Sequence, residues 1–355
     1  MIDTVKLSVD VSTEIKDIIE SCGQICSKID LSTGEIFYNL VHNKIESSYS
    51  SSINLSFNIT GYDTYKLFIE CSLHKVLQGQ NAFNGFYDLT DICKTVKKII
   101  ELSYNLVLPD VSEFFLERID IARVFDLENQ ENIFEYLYIL SFLSYPRRNV
   151  LYIEKESVYV PGRTCTLKIY NKLLEFRKHD KAKLKKINMV KNNYDNEFNV
   201  EFFDIVNYEN KIKGYLRYEL EIHKRMLQKV FKANEIKVID VNYLILEKLW
   251  VGEFMKLYNF KKENIISDRL KVKEKLIKMY GNTSGNTLYD FYLRIITEGE
   301  SYVQNCVAES TFYRKRKKLE DAGIDFSRRY ILADEHEINS VVLNFNPFEN
   351  LREVC

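Results

Sequence analysis

The chain has 355 residues, 46% of them hydrophobic and 28% charged, and a formal net charge of −1. This composition excludes a disordered polymer, and the near-neutral balance excludes a histone-like coat held on DNA by bulk charge. No run approaches the ~20 apolar residues that cross a bilayer, and the length suits two domains better than one small core.

The opening Met1-Ile2-Asp3-Thr4-Val5-Lys6 carries neither a basic n-region nor an apolar h-region, so no signal peptide is expected. Seven scattered cysteines, with no Cys-x-x-Cys, suit a reducing cytoplasm rather than a disulfide framework or structural zinc. Cys22 and Cys26 are spaced to share a helix face, where idle thiols are the simpler reading than a metal site.

Val5, Leu7 and Val9 alternate with Lys6, Ser8 and Asp10, the period of a half-buried strand. Residues 35–42 and 53–60 read as strands from their β-branched and aromatic content. Leu67, Ile69, Cys71 and Leu73 alternate with Phe68, Glu70, Ser72 and His74, which predicts a strand carrying Glu70 and His74 on one face. A helix follows from Asp88 to Leu106, capped by Asp88 or Thr90, with Ile92, Val96, Ile99, Ile100 and Leu102 as its apolar stripe.

Three further alternations predict strands. Ile119 and Ile121 are flanked by Arg118, Asp120 and Ala122. Cys165, Leu167 and Ile169 interleave with Thr164, Thr166, Lys168 and Tyr170. Leu216, Tyr218, Leu220 and Ile222 interleave with Arg217, Glu219, Glu221 and His223. After about residue 236 helical spacing takes over: 241–258 with Ile245, Leu249, Trp250, Phe254 and Leu257, then 267–279, 286–298 and 310–322. The chain therefore reads as an α+β domain over 1–235 followed by an all-helical C-terminal domain over 236–355.

A strand's side-chain period of two gives each of these strands one apolar and one mostly polar face. If the polar faces lie on one side of one sheet, Glu70, His74, Asp120, Lys168, Tyr170, Glu219 and Glu221 converge. Clustered carboxylates raise one another's pKa unless a cation lies between them, and hard oxygen donors suit Mg²⁺ or Mn²⁺. A tyrosine beside such an ion is a reasonable nucleophile toward phosphorus. The plain alternative is a solvated face with no chemistry.

Two basic stretches stand out. From Arg163 to Lys191 the cations include Lys168, Lys172, Arg177, Lys178, Lys181, Lys183, Lys185 and Lys186, opposed only by Glu175 and Asp180. The second is Arg314-Lys315-Arg316-Lys317-Lys318. The first suits tracking of a single strand, with Tyr152, Tyr159 and Phe176 as stacking platforms; ordinary core packing is the alternative for each ring. In the second, Ser310 is the expected N-cap and Gly323 the stop. Phe312, Leu319 and Ala322 then face inward, and Arg314, Lys315, Lys317 and Lys318 face outward. Behind the 286–298 helix this gives a helix-turn-helix-like reader of duplex DNA, or a solvated helix touching phosphate.

Several of these segments, in their order, resemble the gene II replication proteins of filamentous phages and their plasmid and prophage relatives. The segments are Met1-Ile2-Asp3; Lys75-Val76-Leu77-Gln78-Gly79-Gln80-Asn81 with Phe83 and Asp88-Leu89; Arg118-Ile119-Asp120; Arg163-Thr164 with Tyr170-Asn171-Lys172; and Leu216-Arg217-Tyr218-Glu219. Ser310-Thr311-Phe312 through Ala322-Gly323-Ile324 resembles a C-terminal segment of that family. The Lys-Val-Leu-Gln-Gly block is the most specific, and the ordered combination carries the rest.

The resemblance implies an antiparallel sheet flanked by helices, of the HUH/Rep-like nuclease type, and a rolling-circle replication initiator. Such an enzyme nicks one origin strand, forms a 5′-phosphotyrosine and rejoins the strand after synthesis. Carried over, Tyr170 is the nucleophile, Lys172 its Tyr-x-Lys companion with Lys168 nearby, and Asp120, Glu219 and Glu70 hold Mg²⁺ or Mn²⁺. DNA contacts fall to Arg163, Arg177, Lys178, Arg314, Lys315, Lys317 and Lys318. The partners implied are single-stranded and duplex origin DNA and a host helicase and polymerase, without a membrane. The wider superfamily's pair of histidines around one hydrophobic residue is missing among His42, His74, His179, His223 and His336, which leaves His74 and His223 as further ligand candidates. A relaxase or single-strand transposase with the same tyrosine chemistry, or a non-catalytic DNA-binding regulator, fits the same segments.

Overall fold

The alternating apolar residues at the start of the chain form its first strand, which pairs on both sides and so lies inside the sheet. The computed structural model describes residues 1–30, 32–34, 36–49, 51–141, 143, 145–153, 156–192, 202–258, 269–298, 300–324 and 345–348. In chain order the first elements are β1 (Ile2–Ser12), α1 (Thr13–Ser21), β2 (Gln24–Ile29), β3 (Ile36–Glu46), β4 (Ser52–Gly61), β5 (Thr64–Cys71), α2 (Leu73–Gln78), α3 (Leu89–Tyr104), β6 (Phe115–Asp126) and α4 (Gln130–Leu140). β7 (Leu151–Ile153), β8 (Ser157–Val160), β9 (Cys165–Asn171), α5 (Lys172–His179), α6 (Lys181–Asn192), α7 (Ile205–Lys211), β10 (Tyr215–His223) and α8 (Lys224–Phe231) follow. The remaining helices are α9 (Tyr243–Tyr258), α10 (Arg269–Glu298), α11 (Glu300–Cys306) and α12 (Glu309–Asp321).

The strands form one ten-stranded sheet in the order β2-β3-β4-β5-β1-β6-β10-β9-β8-β7. Every pairing is antiparallel, and helices cover both faces, so the fold is α+β. Leu7, Ile69, Ile119, Leu167 and Leu220 point to one side and are fully buried there. Onto that side pack Ile92, Val96 and Ile100 of α3, Ile133 and Leu137 of α4, and Trp250 and Phe254 of α9. Each such side chain contributes about 1.5–3 kcal/mol by leaving water. The opposite face carries a smaller cluster, in which Leu173, Phe176, Leu184 and Tyr208 from α5, α6 and α7 meet Ala82.

Helix α3 starts where its cap predicts: Asp88 accepts from the backbone N–H groups of Thr90 and Asp91. Its stripe includes Cys93, whereas Leu102 is 75% exposed, because a step of 3.6 residues carries position 102 off the face shared by 92, 96 and 100. The strand expected to run through His74 ends at Cys71, and His74 lies on α2. Gly79 closes that short helix at φ +70°, and a Cβ there would meet the Tyr49 ring at 2.7 Å. Cys22 follows α1 while Cys26 lies in β2, so the two share no helix face.

Helix α9 packs into the sheet's core through Leu246, Trp250, Phe254 and Leu257. A separate core gathers Val272, Leu276, Phe291, Tyr292, Phe312 and Leu319 from α10 and α12. Among the described residues, packing passes from the first core to the second between Tyr258 and Arg269 and returns to the first at Phe345 and Phe348. The helices expected over 267–279 and 286–298 run together as α10, bent at Gly281 (φ 78°, ψ 167°), with residues 267 and 268 outside the described ones. α11 intervenes before α12, so the helix that immediately precedes the basic one is α11. Ala308 rather than Ser310 stands at the N-cap of α12 and makes no side-chain cap bond.

Among the described residues, no helix is long and apolar enough to cross a membrane.

Candidate active site

β10 lies between β6 and β9, and its register decides which side chains meet. Glu219 is opposite Lys168 and Ala122, Arg217 opposite Tyr170, and Glu221 opposite Asp120 and Thr166. Arg118 is opposite Lys6 of β1, which is opposite Glu70 of β5. With a period of two, Tyr170, Lys168, Glu219, Asp120 and Glu70 all fall on one surface.

On that surface the Tyr170 hydroxyl donates to Glu219 Oε2 at 2.8 Å, and Lys168 Nζ donates to Glu219 Oε1 at 3.0 Å. Lys168 also pairs with Glu221 Oε2 at 2.9 Å. Arg118 presents a two-pronged fork to Asp120, at 3.0 and 2.7 Å, and donates from Nη1 to Glu70 at 3.2 Å. Its Nε is also 3.4 Å from Glu221, which further meets His223 Nε2 at 3.0 Å.

Asp120 is 1% exposed and Glu219 6%. Burial and the charge of Glu219 push the Asp120 carboxyl up to about 7, against the pull of the Arg118 fork. Burial also holds the half-buried Tyr170 phenol well above its ordinary range; Arg217 draws it down and Glu219 raises it further. The carboxylates around Lys168 overcome its burial and keep its ammonium charged above the usual lysine range.

Among the described residues, no three Asp, Glu, His or Cys side chains are gathered as a ready-made ion site. Asp120 and Glu219 nevertheless fit a hard divalent cation. They are buried oxygen donors on adjacent strands, and their mutual repulsion is what a cation relieves. Glu70 shares the surface but is tied to Arg118 and lies 3.8 Å from Lys6, so a guanidinium joins it to Asp120. Glu221 shares Lys168 with Glu219 and is better placed than Glu70 to serve as a third donor.

The face continues beneath α2 and α5. Arg217 is 0% exposed. Its Nη1 donates to the backbone oxygen of Asn81, its Nη2 lies 2.9 Å from Asp3 Oδ1, and its Nε lies 3.5 Å from Glu219 Oε2. Burial opposes both charges, but Arg217 holds Asp3 well below the usual carboxylate range, helped by a 2.9 Å bond from Asn81. Lys172, the first residue of α5, is equally buried, and its ammonium is held by Glu175. Lys75 bridges Glu175 (3.4 Å) and Asp180 (2.7 Å). Among the described residues no hydrogen bond or ion pair joins Lys172 to Tyr170. The Tyr-x-Lys spacing thus delivers the lysine to this buried network, not to the phenol.

His74 is fully buried on α2 rather than beside Glu70 on a strand. Its Nε2 accepts from the Phe86 N–H at 2.6 Å, and burial lowers its pKa to about 4. It therefore carries no charge at neutrality and lies on the helix after β5, not on the strand with Glu70.

The basic stretches divide by exposure. Arg163 is exposed; Arg177 pairs with Glu209 at 2.6 Å, and Lys178 lies 3.8 Å from Glu156. Phe176 is 1% exposed and packs 4.8 Å from the Tyr208 ring, so it is a core residue and not a stacking platform. On α12, Phe312, Leu319 and Ala322 face the core. Arg314 and Lys317 are exposed, while Lys315 lies over Phe291 and Lys318 over Tyr280.

Arg217, Asp3, Asn81 and Glu175 had no assigned role from pattern alone. The one available signal was the alternation Arg217, Glu219, Glu221 on a single strand face, which places a cation next to two acids.

Residues 1–242 match the N-terminal family of the phage replication-associated proteins of the gene II type. The curated replication-associated protein of that type from Salmonella phage IKe is 26% identical over 153 residues, 38% of this chain and 36% of that protein. The chain thus spans about a third of that relative's length. No solved structure matches.

Proposed function

The chain belongs to the family of gene II-type replication-associated proteins, and on that premise we propose that it is a rolling-circle initiator that nicks one origin strand and joins itself to the 5′ end through Tyr170. The observation that carries this reading is the 2.8 Å bond from the Tyr170 hydroxyl to Glu219, on the surface shared with Asp120 and Lys168.

In the reaction the phenol oxygen attacks the scissile phosphorus, the bond to the 3′ oxygen breaks, and a 5′-phosphotyrosine forms. Free tyrosine has a pKa of about 10, and burial raises this one, so the proton must leave as the new bond forms. Glu219 already accepts that hydrogen and is the proposed recipient. Lys168 and Arg118 supply fixed positive charge where negative charge builds on the phosphate. Asp120 and Glu219, with Glu221 in place of Glu70, are the side chains that would hold Mg²⁺ or Mn²⁺. The ion supplies further charge to offset that on the phosphoryl oxygens. The phosphotyrosine conserves the energy of the cut bond, so rejoining by the freed 3′ hydroxyl needs no nucleotide.

On this reading the sheet is an HUH-like nuclease scaffold without the paired histidines. The exposed cations at Arg163 and along α6 follow the single strand, Arg314 and Lys317 of α12 touch duplex phosphates, and a host helicase and polymerase act on the freed 3′ end. The test is to incubate the protein with supercoiled DNA of its own replicon and Mg²⁺ or Mn²⁺, then digest the products for mass spectrometry. A nucleotide-modified peptide containing Tyr170 is expected. Nicked circles free of protein, or an adduct on another tyrosine, would refute the assignment.

A further inference from the structure

Arg217 is among the largest fully buried side chains of the molecule, and it is a guanidinium. Burying such a charge costs several kcal/mol unless the surroundings answer it, and an apolar residue of similar size is usually no worse for stability. Its environment is specific. It lies opposite Tyr170 in the β9–β10 register and one strand repeat from Glu219 on the same face. One corner donates a hydrogen bond to the Asn81 carbonyl; Nη2 and Nε make no hydrogen bond among the described residues and face Asp3 at 2.9 Å and Glu219 at 3.5 Å as charge pairs. Asp3 is in turn held by the Asn81 side chain at 2.9 Å and by Ser72 Oγ at 3.4 Å. Arg217 Nε lies 3.5 Å from Oε2 of Glu219, the same oxygen that accepts from Tyr170.

We propose that Arg217 is a positioning residue whose guanidinium, itself fixed by Asp3, sets the Glu219 carboxylate to receive the Tyr170 hydroxyl. A lysine keeps the charge but concentrates it at one point on a flexible stem, whereas the planar guanidinium spans Asp3, the Asn81 carbonyl and Glu219 in a fixed geometry. The N-terminal strand thereby becomes part of the site: Asp3, near the start of β1, acts on Tyr170 through two intermediates. This inference rests on the nicking role proposed for Tyr170, but the arrangement itself has a readout that does not depend on catalysis.

The experiment uses the full chain as Arg217→Lys and as Asp3→Asn. Asp3→Asn keeps the side-chain shape and Arg217 itself, so it serves should the lysine variant not fold. Two quantities are read. One is the ¹³Cζ resonance of Tyr170 in tyrosine-labelled protein, assigned by its loss in Tyr170→Phe. The other is the single-turnover rate of adduct formation at saturating replicon single strand, beside the Kd for that strand. A misplacement of about 1 Å costs on the order of 100-fold in rate. Arg217→Lys is therefore expected to move the Tyr170 resonance and slow the adduct about 100-fold, with Kd within ~3-fold of the parent. Asp3→Asn should do both to a smaller degree. An unmoved Tyr170 resonance in the folded variants overturns the proposal, as does a fall in rate matched by an equal loss of binding. A moved resonance in a protein whose parent forms no adduct upholds the arrangement and refutes the nicking reading instead.

Discussion

The Tyr170 hydroxyl and the Glu219 carboxylate meet at 2.8 Å across two adjacent antiparallel strands, with Lys168 on the carboxylate's other oxygen. One residue of register slip in β9 would send Tyr170 to the apolar side of the sheet, so the contact depends on the pairing of Arg217 with Tyr170.

Tyr170→Phe is expected to abolish the covalent adduct, seen on denaturing gels with labelled DNA, while single-strand binding by anisotropy stays within ~3-fold. The ring keeps its packing and only one partly buried hydrogen bond is lost, worth about 1 kcal/mol of stability. An undiminished adduct in the Phe variant would end the nucleophile assignment.

Asp120→Asn and Glu219→Gln each remove one negative charge from the pair. Both should weaken activation by Mn²⁺, raising the half-activating concentration at least ~10-fold in a titration of nicking rate. Glu70→Gln should change it little, because Glu70 is joined to the pair through Arg118. Equal effects from all three variants would place Glu70 back among the ligands.

Glu175 sets a pH window for stability. Burial alone would raise its carboxyl, but Lys172 and Lys75 pull it down to about 2 from an unfolded value of 4.5. Between those values the unfolded chain binds the extra proton, so stability rises with pH across the window. The contribution is present above about 4.5 and disappears as the pH falls through about 2. Glu175→Gln leaves the buried Lys172 without a counter-charge and should cost about 3 kcal/mol at pH 7. Urea midpoints of parent and variant should converge toward pH 2–3, and a gap that stays constant over that range would contradict the pairing. Adding Lys172→Met to Glu175→Gln should recover part of the loss, as a double-mutant cycle would show.

On α12 the two exposed cations can be tested together. Arg314→Ala with Lys317→Ala should weaken duplex binding and reduce the slope of log K against log salt by about 1.8, near 0.9 for each lost phosphate contact. Lys315→Ala and Lys318→Ala should alter the slope less, since those ammonium groups lie over Phe291 and Tyr280. A change for Lys315→Ala or Lys318→Ala as large as half that of the double variant would contradict this division.

Much of the site was legible before any fold. Alternation is a local property, so Tyr170 with Lys168, and Glu219 with Glu221, had to share faces once their strands formed. The same reasoning failed at His74: alternation ran on past Cys71 in the sequence, but the chain turns into α2, and the histidine is buried against Phe86. Lys172 was placed beside Tyr170 only by the family's Tyr-x-Lys spacing, which alternation does not address. The change from strand to helix at Asn171 carries its ammonium to Glu175.

The amino-acid pattern alone determined the α+β start, the helices α9 to α12 and the side of each strand that carries acids, because hydrophobic periodicity is written residue by residue. Tertiary structure alone decided how deep that polar side lies and what answers its charges. Arg217 and Glu219 sit on a face that alternation would leave wet. They are buried because α2 and α5 close over them, while the first strand and the turn after α2, from distant parts of the chain, bring Asp3 and Asn81 into reach. No local rule contains that information, since it depends on the order in which ten strands pair.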